Sequence, residues 1–303
     1  MKVAALDLGT NTFLCLIADV ENGVITKVHH DTAEVVRLGQ DLHQTKQLHP
    51  EALARADQAL KKFSEVIKKH KPHKVLAMAT SAARDAQNQS EFFAICEKHK
   101  ITVQIIPGDQ EAQITFQGAV SNFAPDEVRR VVIDIGGGST ELIRGVGHKF
   151  EFGESIDIGA VRLTESFISI QPIEDVERKA LKRHIEEMVN PVIEKIKKEK
   201  IDQLIAVAGT PTELAKMEIG KFDALKINGF KLKMSHLDRY EDVFATTSIE
   251  EKVDKLKVSP GRADIIFAGT SLLRAIVQKC GFEQVIVSTR GVRYGIALEM
   301  EKT

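Results

Sequence analysis

Val3-Ala-Ala-Leu-Asp7-Leu-Gly9-Thr-Asn-Thr12 and Val131-Val-Ile-Asp134-Ile-Gly136-Gly-Gly-Ser-Thr140 follow one pattern: an apolar strand, Asp-x-Gly, then small hydroxylated residues ahead of a second strand. The two copies lie about one domain length apart, and 303 residues is about twice the usual size of a single domain. A duplicated α/β domain, each copy offering one such loop to a central cleft, accounts for both facts. Glycines let backbone N–H groups turn inward as an anion-binding nest, and Ser and Thr hydroxyls add donors without blocking close approach. The loops therefore read as phosphate-binding, through Gly9, Thr10, Asn11 and Thr12 in the first copy and Gly136, Gly137, Gly138, Ser139 and Thr140 in the second. A carboxylate at the strand end, Asp7 or Asp134, repels phosphate directly but can hold magnesium or a metal-bound water that neutralises it. The familiar nucleotide loops do not fit. There is no G-x-x-x-x-G-K-[ST], and Glu141 stands where a dinucleotide fingerprint needs its third glycine.

Outward from these loops the chain alternates between the two regular periods. Strands are expected at 13–20, 24–36, 74–78, 103–106, 130–134, 140–143, 149–158, 204–208 and 284–287, and helices at 90–99 and 110–120. In the stretch from Pro50, residues Leu53, Ala56, Leu60, Phe63 and Ile67 recur at helical spacing, with lysines on the other face. Longer helical patterns cover 173–198, with a break or kink at Asn190-Pro191, and 260–280. Asp109 is placed to cap the helix after Pro107-Gly108. Periodicity lapses near Phe123-Ala-Pro-Asp126, which marks the domain boundary.

Composition removes several classes. Hydrophobic residues make up 43% and charged residues 28%, ordinary globular usage. Forty-two basic against 43 acidic side chains give a net charge of −1, so no DNA-coating field exists and a polyanion must be met locally. Cys15, Cys96 and Cys280 are odd in number and set among apolar residues, as reduced thiols of a cytoplasmic protein would be. Asp7, Thr10 and Asn11 interrupt the apolar N-terminus before a signal-peptide core is complete, and no run approaches a membrane span.

Three side chains add chemistry. Glu111, in Pro107-Gly-Asp-Gln-Glu111-Ala, sits where a strand passes into a helix and is placed to take a proton from an attacking water. Glu141, on the strand after the second loop, is a candidate for the metal shell. Arg84 either reaches phosphate with its planar fork or pairs with a nearby carboxylate. Among the basic clusters, Lys195, Lys197, Lys198 and Lys200 read as a solvated helix end, and Lys231 and Lys233 as a strand that could line a polyphosphate path.

The set of motifs resembles the exopolyphosphatase and guanosine pentaphosphate phosphohydrolase family over essentially the whole chain. The resemblance is carried by Asp7-Leu-Gly-Thr-Asn-Thr12, Ala79-Thr-Ser-Ala-Ala-Arg84-Asp-Ala-Gln-Asn88, Pro107-Gly-Asp-Gln-Glu111-Ala, Val132-Ile-Asp134-Ile-Gly-Gly-Gly-Ser-Thr-Glu141-Leu and Asp157-Ile-Gly-Ala-Val-Arg162-Leu. Ala208-Gly-Thr-Pro-Thr212, Arg262-Ala-Asp264 and Ser288-Thr-Arg-Gly291-Val-Arg293-Tyr-Gly295 extend it. It implies two actin-like, ribonuclease H-like domains around a cleft: residues 1–124, joined by a C-terminal helix at about 291–303, and residues 125–290. It implies no HD-type helical domain after them. It further implies Glu111 as catalytic base, Asp134 and Glu141 on Mg2+ or another divalent cation, and Arg84 near phosphate. The implied reaction releases the terminal phosphate of inorganic polyphosphate, converts pppGpp to ppGpp as in the stringent response, or both, and a homodimer fits the reading. Two positions depart from the family pattern: Gln110 replaces the first of two adjacent carboxylates, and Tyr294 replaces the Glu of an Arg-Glu-Gly segment. Two other readings of the same motifs are an ATP-dependent kinase of this superfamily and a non-catalytic sensor of polyphosphate or alarmones.

Overall fold

The computed structural model describes residues 1–302; Thr303, the last residue of the expected C-terminal helix, lies outside them. The chain forms two compact units, Met1–Asn122 with the segment from Gly291 onward, and Phe123–Arg290. The break falls two residues ahead of the expected boundary. Periodicity lapses at 123–128 because side chains, not backbone ladders, hold this segment. The fully buried Arg130 donates to both carboxylate oxygens of Asp126 at 2.7 and 2.6 Å and lies over the Phe123 ring.

The first unit contains β1 (Lys2–Leu8), β2 (Thr12–Glu21), β3 (Val24–Val35), α1 (Leu42–Thr45), α2 (Pro50–His70), β4 (Lys74–Ala79), α3 (Ser81–Asp85), α4 (Gln89–Lys98), β5 (Val103–Ile105) and α5 (Gly108–Val120). Its sheet runs β3-β2-β1-β4-β5, with β1–β3 antiparallel neighbours and β1, β4 and β5 parallel. Asn22 and Gly23 both take positive φ, the conformation a two-residue hairpin between right-twisted strands requires. β1 is an unbroken apolar run because both its faces are covered. Ala4, Leu6 and Leu8 pack with Phe63 and Phe92 of α2 and α4, while Val3 and Ala5 pack on the opposite face.

The second unit contains β6 (Arg129–Ile135), β7 (Thr140–Val146), β8 (Lys149–Ile156), α6 (Ala160–Phe167), α7 (Asp175–Ile196), β9 (Gln203–Val207), α8 (Gly209–Ile219), α9 (Ala224–Ile227), β10 (Lys231–Lys233), α10 (Met234–Thr246), α11 (Ile249–Asp254), α12 (Ile266–Cys280) and β11 (Gln284–Val287). Its sheet order is β10-β11-β9-β6-β7-β8. Read from the other edge and without β10, it repeats the first sheet strand for strand. β6, β7 and β8 form the antiparallel meander, and β9 and β11 lie parallel to β6. The fold class is thus α/β with two units of one topology.

Four details differ from what the periodicity predicts. α7 continues through Asn190-Pro191 as one helix. Pro191 lies on the exposed side, where the carbonyl it frees can meet water, and the buried stripe Leu181, Ile185, Val189, Val192 and Ile196 runs on past it. α12 begins at Ile266, not Pro260. Asp109 lies inside the first turn of α5, whose N-cap is Pro107, and its carboxylate accepts from the adjacent Gln110 N–H instead of capping the helix. The span from 209 to 264 also holds α8–α11, which the sequence reading left unassigned.

The last helix, α13 (Val292–Lys302), packs on the Val3/Ala5 face of the first sheet through Ile296 and Ala297. Its Glu301 accepts from the amides of Asn22 and Gly23 in the β2–β3 turn. Backbones touch where α13 meets α5. A Cβ at Gly118 would stand 2.2 Å from the Gly291 carbonyl oxygen, and one at Gly295 would stand 2.0 Å from that of Ile114. No helix among the described residues is long and apolar enough to cross a membrane. The three cysteines are buried and free, and burial pushes their thiols up to about 12 for Cys15 and Cys96 and about 11 for Cys280. Replacing Gly118 with Ala forces backbone apart, so urea unfolding of Gly118→Ala is expected to show a loss of about 1–3 kcal/mol; wild-type stability would mean that α13 does not dock on α5 as described.

Candidate functional site

Both loops have the same internal geometry. In the first, the Gly9 amide donates to the Thr12 carbonyl at 3.2 Å; in the second, Gly136 donates to Ser139 at 3.0 Å. Each strand pair closes over four loop residues, between Leu8 and Phe13 in one unit and between Ile135 and Thr140 in the other. A Cβ on Gly9 or Gly136 would stand 3.0 Å from the facing carbonyl, the same tight spot in each copy.

The second loop is fixed from behind by α6. The first amides of that helix have no partner within the helix and donate instead to the loop: Ala160 to the Gly136 carbonyl at 3.0 Å, and Val161 and Arg162 to that of Gly137 at 2.9 and 3.1 Å. The Arg162 side chain adds a bond from Nε to the Gly138 carbonyl at 2.9 Å. In a planar trans peptide the N–H of the next residue points opposite to the carbonyl. With three successive carbonyls drawn toward α6, the amides of Gly137, Gly138 and Ser139 are turned away from it as a row of donors. Gly159, just ahead of α6, permits this contact, since a Cβ there would fall 2.4 Å from the Gly137 oxygen. Thr140 Oγ1 is spent on the Ile158 carbonyl at 2.7 Å, so this hydroxyl anchors the loop.

The first loop is tied by the segment after β3. Gly39 donates to the Thr10 carbonyl, and Val36 and Arg37 donate to that of Asn11. By the same peptide geometry the amides of Asn11 and Thr12 face the other way. Asn11 is buried; its amide donates to Thr12 Oγ1 at 3.2 Å, and its Oδ1 has no hydrogen-bond partner. Buttressing by Gly39, Gly159 and Arg162 was not foreseen. The signal was present in the sequence as an apolar residue followed by Gly after the third strand of each repeat, Leu38-Gly39 and Ile158-Gly159.

The carboxylates separate by unit. Asp134 and Glu141 are direct cross-strand partners on β6 and β7, exposed by only 6% and 1%. Ser155 of β8 donates to Glu141 Oε1 at 2.7 Å. Among the described residues no group of three or more His, Cys, Asp or Glu could hold a metal. Two carboxylates suit Mg2+, which commonly takes one or two from the protein and completes its shell with water and phosphate oxygens. They do not suit a closed zinc cage.

In the first unit Glu111, on α5, is 5% exposed and accepts from Arg84 Nη1 at 2.7 Å. The same nitrogen donates to the Ile106 carbonyl at 2.8 Å, while Nε and Nη2 have no protein partner among the described residues. Arg84 is thus ion-paired with Glu111 and still has donors to offer an anion. Burial pushes the Glu111 carboxyl above its ordinary value, and Arg84 opposes the shift. Asp7 lies on the β1 face that α13 covers. There Arg293 grips Asp31 with two bonds at 2.8 and 2.9 Å, and Tyr294 donates to the same carboxylate at 3.0 Å. Tyr294, which replaces the family Glu, therefore joins Arg293 in holding β3. Elsewhere in the second unit, the Arg262 guanidinium packs against Gly209, and Glu213 accepts from Lys216 and from the amide and hydroxyl of Ser259.

The Gly159→Ala variant tests the loop geometry. Displacing α6 misdirects the amide row, so affinity for inorganic phosphate, titrated by amide chemical shifts, is expected to fall about 10- to 10²-fold, the cost of losing a hydrogen bond to a charged group. Unchanged affinity would show that the row does not bind the anion.

The comparisons agree with this geometry. The model of the Ppx/GppA phosphatase family matches residues 16–303. Exopolyphosphatase 2 of Mycobacterium tuberculosis is 33% identical over 315 aligned residues, covering 99% of this chain and 98% of that protein. The crystal structure of the Aquifex aeolicus Ppx/GppA family member is 28% identical, with TM-score 0.82 over 100% of this chain and 98% of that one. That of an exopolyphosphatase from Cytophaga hutchinsonii is 26% identical, with TM-score 0.91 over 100% and 98%. Family match, full-length similarity and duplicated topology point one way: the chain belongs to the Ppx/GppA phosphatase family.

Proposed function

We propose that this protein hydrolyses a terminal phosphoanhydride, releasing phosphate from the end of inorganic polyphosphate or from the 5′-triphosphate of pppGpp. The observation that carries this reading is the second loop, a row of amides fixed by α6 with the Asp134–Glu141 pair at its strand ends. Similarity to proteins named exopolyphosphatase supports the substrate class. In the second unit, the amides of 137–139 hold the terminal phosphate, and Asp134 and Glu141 hold Mg2+, which supplies positive charge against the phosphate oxygens. In the first unit, the loop from Gly9 to Thr12, with Asp7 at its strand end, contributes to substrate binding, Glu111 orients and deprotonates water, and Arg84 positions Glu111 and offers its remaining donors to the substrate. Gln110 carries no acid–base function, so Glu111 works as a single base.

Phosphoryl transfer depends mainly on positioning and electrostatics, so loss of the base reduces turnover more than binding. Glu111→Gln is expected to lower the rate of phosphate release by about 10²- to 10⁴-fold with KM nearly unchanged; wild-type turnover would remove Glu111 from the mechanism. Phosphate release from chain-length-defined polyphosphates and from pppGpp, with Mg2+ and no acceptor, tests the function. A requirement for an acceptor alcohol would favour a kinase, and binding without release a sensor.

The pH dependence has a definite sign. A base works deprotonated, so activity rises with pH through the Glu111 titration, which burial places above the ordinary carboxylate value. Removing the Arg84 charge removes the influence that lowers it. The acidic limb of the kcat/KM profile of Arg84→Met is therefore expected to move to higher pH; a limb that stays in place would mean that Arg84 does not tune this group.

A further inference from the structure

We propose that Ser155 is a positioning residue for Glu141, and that the row Asp134, Glu141 and Ser155 confines metal binding to the second of the two duplicated loops. The inference rests on the reading of Asp134 and Glu141 as metal ligands. Asp134 pairs with Glu141, and Glu141 with Ser155, in direct register across β6, β7 and β8. Directly paired residues on neighbouring strands project from the same face, and their neighbours along each strand from the other. The other face is apolar: Ile133, Ile135, Leu142 and Ile156 all belong to the core of this unit. The three polar side chains thus form one line across the sheet, starting at the strand end that leads into the phosphate loop.

Within that line Ser155 Oγ donates to Glu141 Oε1 at 2.7 Å. A hydroxyl bonded to a carboxylate is a charge-assisted contact, and it fixes the rotation of a carboxyl group that could otherwise swing. Outer partners of this kind orient ligating carboxylates and typically affect metal affinity by about 10- to 100-fold. The repeat supplies an internal comparison. At the matching places in the first sheet, Asp7 pairs with Leu14, and Leu14 with Ala33. The first loop has a carboxylate at the strand end but neither a second carboxylate nor a hydroxyl behind it. Two loops of equal backbone geometry therefore differ in one row of side chains, and that row matches what a divalent cation needs.

The test is Mn2+ binding to the full chain, followed by electron paramagnetic resonance, for wild type, Ser155→Ala, Ser155→Thr and Glu141→Gln. Ser155→Ala is expected to weaken Mn2+ about 10-fold, and Ser155→Thr, which keeps the hydroxyl, to recover most of that loss. The half-saturating Mg2+ concentration for phosphate release should rise in parallel. Wild-type Mn2+ affinity in Ser155→Ala, with loss in Glu141→Gln, would overturn the role of Ser155 and leave the metal reading standing. Wild-type affinity in Glu141→Gln would overturn both. Equal loss in Ser155→Ala and Ser155→Thr would also overturn the proposal, since packing rather than the hydroxyl would then be responsible.

Discussion

The bonds from the first turn of α6 to the carbonyls of Gly136 and Gly137, completed by Arg162 on Gly138, govern the chemistry available to the second unit. Helix termini leave N–H groups without partners, and tight glycine loops leave carbonyls without partners. Here each solves the problem of the other. The consequence is directional: once the carbonyls are committed to the helix, the following amides face the opposite side. A loop that is flexible by composition becomes an ordered set of donors, and no donor has to be reoriented when an anion arrives. Gly159 is the steric condition for this arrangement, since any side chain there would occupy the place of the Gly137 carbonyl.

The same design appears in the first unit with other means. The residues that follow β3 directly are not helical; the amides of Val36, Arg37 and Gly39 take over the task for Thr10 and Asn11. Duplication has therefore preserved the sheet order and the turn while the side chains diverged. In the first unit, the turn from β5 into α5 delivers Glu111, paired with Arg84. In the second, β6, β7 and β8 bring the oxygen-bearing side chains of Asp134, Glu141 and Ser155 into one line. Near-neutral net charge fits the proposed function, in which a polyanion would be met by oriented amides and a cation instead of a broad basic surface.

Much of this was legible in the sequence. The Asp-x-Gly repeat pointed to two units of one topology, and most strands and the helices at α2, α4 and α5 follow from periodicity because they are apolar on the faces that pack. Glu141 stood out beside the second loop, but its pairing with Ser155 was not legible, for a physical reason. The pairing lies in cross-strand register, and register between β7 and β8 passes through a bulge near Arg144 that no local pattern specifies. The region holding α8 to α11 was opaque because α9 and α11 are short and the longer helices carry buried charge. Glu241, for example, is buried among Lys182, Arg178 and Arg274, which blurs the contrast between apolar and polar faces. Pro191 misled because local rules assign a break wherever proline occurs, whereas here the ring lies on the exposed side of a helix already held by its buried stripe.

The central claim is that equal backbone loops do unequal work, with the divalent cation held by the second alone. Anomalous diffraction from crystals soaked in Mn2+ with a slowly hydrolysed polyphosphate analogue tests this most directly. A manganese peak is expected at coordination distance from Asp134 and Glu141 and from a phosphate oxygen held by the amides of 137–139. A peak at Asp7, with or without one at Asp134, or ordered phosphate at the second loop with no metal beside it, would contradict the claim.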